Sequence, residues 1–119
     1  MNWIKIMSND VLEAENFIRL IRVDGKKICL VKVGDEFFAT QNRCPHAGAD
    51  LSLGICKDKK LICSFHRYEY DLKTGRGAAG QGDYLNIYPI KKEEDGLYVG
   101  FKDKWAFIRK FFQYGITGN

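Results

Sequence analysis

Two short clusters, Cys44-Pro45-His46 and Cys63-Ser64-Phe65-His66, constrain this chain more than any other feature. Each offers one thiolate and one imidazole, and sixteen residues separate His46 from Cys63. A fold that uses them together has to bring two loops tip to tip. Two soft sulfurs and two borderline nitrogens suit either a zinc ion or a two-iron, two-sulfide cluster in which one iron takes both cysteines and the other both histidines. Zinc fingers and ribbons space their ligand pairs so that a tetrahedron closes round one ion. A Cys-x-His pair is tight for that geometry, because sulfur and nitrogen come from neighbouring positions. A two-iron centre is a wider object, to which each loop gives its Cys on one side and its His on the other.

The rest of the chain reads as short strands that deliver these loops. Alternating or β-branched and aromatic runs predict strands over 3–7, 17–23, 27–33, 36–40, 68–72, 84–90 and 97–101. Asp24-Gly25, Gly34-Asp35 and Asp95-Gly96 mark turns between them. Residues 51–56 and 61–63 flank the charged turn 57–60 and predict a hairpin that carries the second ligand pair. The expected architecture is an antiparallel meander of local pairings, all-β, with each ligand pair at the tip of a small β element. At the end of the chain Phe101, Trp105, Ile108 and Phe112 fall at helical spacing among basic residues, which predicts an amphipathic helix over about 102–114. We expect it to pack on its own domain, with docking of a partner subunit as the second reading. With 119 residues the chain is expected to form one domain, 1–119, with a core that needs no disulfides.

Composition excludes several classes. The net charge of +4 is spread along the chain, with no basic block interleaved with aromatics, so no nucleic-acid partner is expected. No apolar run has the length of a membrane span, and the first residues lack the pattern of a secretory signal, so a cytoplasmic protein is expected. Of the four cysteines, Cys29 and Cys56 lie in apolar strand-like settings and read as small core residues. The two histidines are both in the clusters, which leaves none for a Ser-His-Asp set or for a second, mononuclear iron site. Catalysis on a substrate within this chain is not expected. The segment 75–80 matches a dinucleotide fingerprint by letter, but it leads into a strand instead of opening a helix.

Cys44-Pro45-His46-x-Gly48-x-x-Leu51, then Cys63-x-x-His66, then Tyr70-Asp71-Leu72-x-Thr74-Gly75, resembles the signature of the Rieske iron-sulfur proteins, and most closely the soluble Rieske-type ferredoxins. The resemblance covers essentially the whole chain. It implies the Rieske fold, an antiparallel β-sandwich with a small cluster-binding subdomain over about 42–82. It also implies one [2Fe-2S] cluster on Cys44, His46, Cys63 and His66, and a one-electron carrier between a flavin-containing reductase and a terminal oxygenase. The His edges would lie at the surface as the docking face. The runner-up is a small subunit of a larger reductase, similar to the nitrite reductase small subunit, so that the protein is a free monomer or a subunit of a complex. A zinc-bound interaction domain is the third reading.

The resemblance also sets expectations for tuning. High-potential respiratory members have a serine two residues after the second His, a tyrosine four after it, and a disulfide between the loops. Here these positions hold Tyr68, Tyr70, and Gly48 with Phe65. A low-potential centre is expected, raised somewhat by a Tyr70 hydroxyl aimed at the cluster. Arg67 stands where the family usually has glycine, and Arg43 precedes Cys44. The two arginines are candidates for docking an acidic partner. The covering segment 77–82 lacks the family's proline, since Pro45 and Pro89 are the only prolines, and is expected to be more mobile than usual.

Overall fold

The computed structural model describes residues 1–8, 15–46 and 48–102. The expected helix over about 102–114 lies, apart from Lys102, outside the described residues. Among the described residues ten strands follow in order: β1 Asn2–Ser8, β2 Phe17–Val23, β3 Lys26–Val33, β4 Glu36–Gln41, β5 Ile55–Lys57, β6 Lys60–Ile62, β7 Glu69–Asp71, β8 Ile87–Tyr88, β9 Ile90–Glu93 and β10 Gly96–Phe101. They form three antiparallel sheets in the orders β1-β10-β9, β2-β3-β4-β8 and β5-β6-β7.

The β2-β3 hairpin turns at Asp24 and Gly25, both at positive φ (51° and 79°), the backbone of a two-residue hairpin turn. The β5-β6 hairpin does the same at Asp58 and Lys59 (53° and 58°) without a glycine. Two expected strands differ from what is observed. Residues 51–56 divide, because Leu51–Leu53 winds into a 3₁₀ turn whose end is closed by the Gly54 N–H donating to the Leu51 carbonyl. Residues 84–90 shrink to β8, and the chain then changes sheet at Pro89. Proline has no N–H to continue the ladder with β4, while its carbonyl accepts from Gly100 of β10 at 2.9 Å.

β3 is buried along both faces, and its alternation assigns it to two cores. Ile28 and Leu30 point into one, with Ala39, Leu97 and Val99. Cys29 and Val31 point into the other, with Cys44, Leu51, Leu61, Cys63, Tyr70, Leu72 and Leu85. Fully burying an aliphatic side chain is worth about 1.5–3 kcal/mol, so the second core is a sizeable anchor. It places Cys44 and Cys63 on a packed base instead of on free loops. Cys29 behaves as the core residue expected, its thiol pushed up to about 12 by burial.

Candidate metal centre

The first ligand loop leaves β4 under tight backbone control. The Gln41 N–H donates to the Asn86 carbonyl (3.0 Å), the Asn86 N–H donates to Gln41 Oε1 (2.8 Å), and Gln41 Nε2 donates to the Arg43 carbonyl (2.6 Å). Asn42, only 3% exposed, then receives the returning chain, its carbonyl accepting from Leu51 N–H and its Oδ1 from Ser52 N–H. Between these anchors Cys44 N–H donates to the Ala49 carbonyl and Gly48 N–H to the Cys44 carbonyl, each at 2.8 Å. The second loop follows β6 and is closed by Cys63 N–H donating to the Tyr68 carbonyl at 2.8 Å.

The four donors differ in burial. Cys44 and Cys63 are buried (1% and 0% exposed), and the Cys63 thiol is raised by burial, with the Phe65 backbone N–H opposing the shift and the adjacent Cys44 adding to it. His46 and His66 are exposed, with ring centroids 6.2 Å apart and planes at 83°. No three Cys, His, Asp or Glu side chains converge as ligands of one ion among the described residues. Inner soft sulfurs and outer imidazoles are the donor set that a [2Fe-2S] group with mixed ligands requires, so the residues present fit that group.

A family model for the Rieske [2Fe-2S] domain matches residues 2–89. The chain belongs to the Rieske [2Fe-2S] domain family. The ferredoxin component of the naphthalene 1,2-dioxygenase system of Pseudomonas putida is 30% identical over 95 residues, which cover 78% of this chain and 89% of that one. A solved complex of reduced oxygenase and oxidized ferredoxin in carbazole 1,9a-dioxygenase contains a chain that superposes with a TM-score of 0.71 at 27% identity, over 82% of this chain and 100% of that one. The ferredoxin of carbazole 1,9a-dioxygenase from Nocardioides aromaticivorans IC177 shares the fold, with a TM-score of 0.75 at 24% identity over 86% and 100% of the two chains. The all-β Rieske fold expected from the sequence is the fold observed.

Arg67 of this Rieske domain occupies the left-handed region, with φ +54°, directly after His66 at +58°. The family's glycine is thereby explained, and arginine there carries a local cost of about 1 kcal/mol. Arg43 is exposed and its guanidinium lies beside Gly48, where an added Cβ would come within 3.4 Å of it. Around the second loop Leu53, Ile55 and Phe65 are also exposed, and Leu53, Ile55, Ser64 and Arg67 border one depression. The sequence reading missed this apolar surround, since single exposed residues carry no periodic signal. Tyr68 packs on His46 at 4.0 Å between ring centroids, a contact that holds the imidazole edge.

Tyr70 is fully buried, with its hydroxyl 3.5 Å from Cys44 Sγ. Burial, with Cys44 and Asp83 adding to it, raises this phenol far above the ordinary tyrosine range. The hydroxyl donates to Asp83 Oδ2 at 2.9 Å, a partner that nothing in the sequence singled out. The proline-free cover 77–82 is fastened by main-chain bonds: Ala78 N–H donates to the Glu69 carbonyl and Gln81 N–H to the Ala78 carbonyl, each at 3.0 Å.

Proposed function

We propose that this Rieske domain is a one-electron carrier whose [2Fe-2S] cluster is held by Cys44 and Cys63 on one iron and by His46 and His66 on the other. It passes electrons from a flavin-containing reductase to a terminal oxygenase. The observation that carries this reading is the pairing of two buried thiols with two exposed imidazoles whose ring centroids are 6.2 Å apart. When bound, the cluster takes up and releases one electron. The chain's residues do the rest. The packed base of Leu51, Leu61 and Leu72 keeps water from the sulfur side, and His46 and His66 offer the short exit to a docked partner. Arg43 and Arg67 supply positive charge beside that exit, which steers an acidic surface toward it, while Phe65, Leu53 and Ile55 supply apolar contact.

The relative named as a ferredoxin component and the neighbour solved with its oxygenase both support a shuttle. The second reading, a fixed relay in a reductase of the nitrite reductase small-subunit type, rests on chains 17% and 20% identical, a likeness that carries the fold alone. Co-purification separates them, a monomer supporting the shuttle and a stoichiometric complex the relay.

An anaerobic potentiometric titration tests the carrier. It should show one electron per protein and a midpoint toward the negative end of the Rieske span of about −150 to +300 mV; a value at the positive end would contradict the reading. Exchanging Arg67 for glycine relieves the backbone and should gain about 1 kcal/mol, or roughly 4 °C in Tm. The same exchange should slow reduction by a flavin reductase about threefold at low salt and have no effect at high salt. Unchanged kinetics at low salt would remove Arg67 from the docking face.

A further inference from the structure

We infer that Asp83 withholds the Tyr70 proton from Cys44 and so acts as a positioning residue that keeps the potential of this centre low. The inference rests on the proposed reading of Cys44 as an iron ligand. A tyrosine hydroxyl has one proton to give. Two acceptors are within its reach, Cys44 Sγ at 3.5 Å and Asp83 Oδ2 at 2.9 Å. A free thiol has a proton of its own to donate, but a thiolate bound to iron only accepts, as does an ionised carboxylate. The two therefore compete for the same proton. Sulfur is the larger atom, so both contacts are at bonding distance; the carboxylate is the better acceptor, because a hydroxyl bond to a charged carboxylate is about twice as strong as one between neutral groups, whereas sulfur is a weak acceptor. The proton goes to Asp83, and the phenol oxygen turns a lone pair toward the sulfur.

The consequence is the loss of an upward push. A hydrogen bond donated to a ligand sulfur stabilises the added electron and raises the potential. A hydroxyl turned to Asp83 donates nothing to the sulfur, and the carboxylate charge itself opposes that electron. The upward push expected of Tyr70 is thereby cancelled by a residue thirteen positions later in the chain.

The surrounding segment is built to hold that carboxylate. Gln81 Nε2 donates to Asp83 Oδ1 at 3.2 Å and to the Glu69 carbonyl at 3.1 Å, while Gln81 Oε1 accepts from Glu69 N–H at 2.9 Å. Gln81 is thus clamped to β7 from both ends of its amide. Gly77 N–H donates to the Asp83 carbonyl at 3.0 Å. A Cβ at position 77 would stand 2.7 Å from Gln81 Nε2 and 2.8 Å from Asp83 Oδ1, so glycine makes room for the pair.

The test is a double-mutant cycle on midpoint potential, measured anaerobically on cluster-loaded wild type, Tyr70→Phe, Asp83→Ala and the double variant. In the wild-type background Tyr70→Phe should change the reduction equilibrium less than about twofold, because the hydroxyl gives the sulfur nothing to lose. Asp83→Ala should raise the potential. With Asp83 gone, adding Tyr70→Phe should cost about fivefold, the net worth of one hydrogen bond, or roughly 40 mV for one electron at about 59 mV per tenfold. Equal shifts for Tyr70→Phe in both backgrounds, whether zero or large, would overturn the inference. Asp83→Asn keeps the side-chain shape and serves in the same cycle if the alanine variant does not fold; a larger Tyr70→Phe effect there than in wild type supports the inference, and an equal one overturns it. A wild-type protein that takes up no cluster would instead sink the reading of Cys44 as a ligand.

Discussion

Serine in place of Cys63 is expected to give a protein that retains no iron and no visible cluster absorption. Iron-sulfur clusters are held by thiolates, and a serine hydroxyl stays protonated near neutral pH and is a hard, poor ligand for the same iron. The position adds a second cost. Cys63 is wholly buried among Leu61, Tyr70 and Leu72, so a polar hydroxyl in place of its sulfur should also lower the stability of the cluster-free protein. Cys29→Ser is the matched control. That thiol is equally buried, on β3, but belongs to neither ligand loop, so its loss should lower stability while leaving iron content unchanged. Iron-to-protein ratio and visible spectra of the two variants decide the matter. Retention of the cluster by Cys63→Ser, or its loss from Cys29→Ser, would reverse the assignment.

Alanine at Gly75 should be strongly damaging, although Gly75 lies outside the two Cys-His loops. Gly75 has φ +78°, and its carbonyl accepts from Leu85 N–H at 2.7 Å while its own N–H donates to the Asp71 carbonyl at 2.7 Å. The two bonds fix its backbone, and an added Cβ would stand 2.3 Å from the Leu85 carbonyl oxygen and 3.0 Å from Ile87 Cγ1. Neither backbone can yield without breaking the bond that joins them. Left-handed strain and overpacking together should cost about 3 kcal/mol, or roughly 10 °C in Tm. The strain also falls on the chain that leads to Gly77 and Asp83, so the potential should shift with it. Thermal unfolding of the loaded protein within about 2 °C of wild type would refute this account of Gly75.

The two Cys-His loops, as loops at strand ends, and most hairpins were legible because their signals are local. Cys-x-His and Cys-x-x-His are contiguous, and Asp24-Gly25 states its own turn chemistry. What was not legible depends on partners far away in sequence. β1 pairs with β10 across nearly the whole described chain, and nothing within Asn2–Ser8 names that partner, so the expected meander of local pairings covers only part of the sheet order. Leu51-Ser52-Leu53 alternates like a strand, but Asn42 captures the backbone N–H groups of Leu51 and Ser52 and turns the segment into 3₁₀. Tyr70 was recognisable by its place after His66. Its direction of donation was not, because it is decided by Asp83, which follows an unremarkable glycine-rich run. Arg67 is a further case: the sequence shows only that arginine stands where the family usually has glycine, and the positive φ of +54° is visible in the structure alone.

The measurement that bears most directly on the centre is electron paramagnetic resonance of the reduced protein grown with ¹⁵N-labelled histidine. Two thiolates on one iron and two imidazoles on the other should give a [2Fe-2S] signal with an average g below that of all-cysteine clusters, coupled to two histidine nitrogens. A reduced cluster without histidine coupling, or a colourless protein loaded with zinc alone, would contradict the assignment of Cys44, His46, Cys63 and His66.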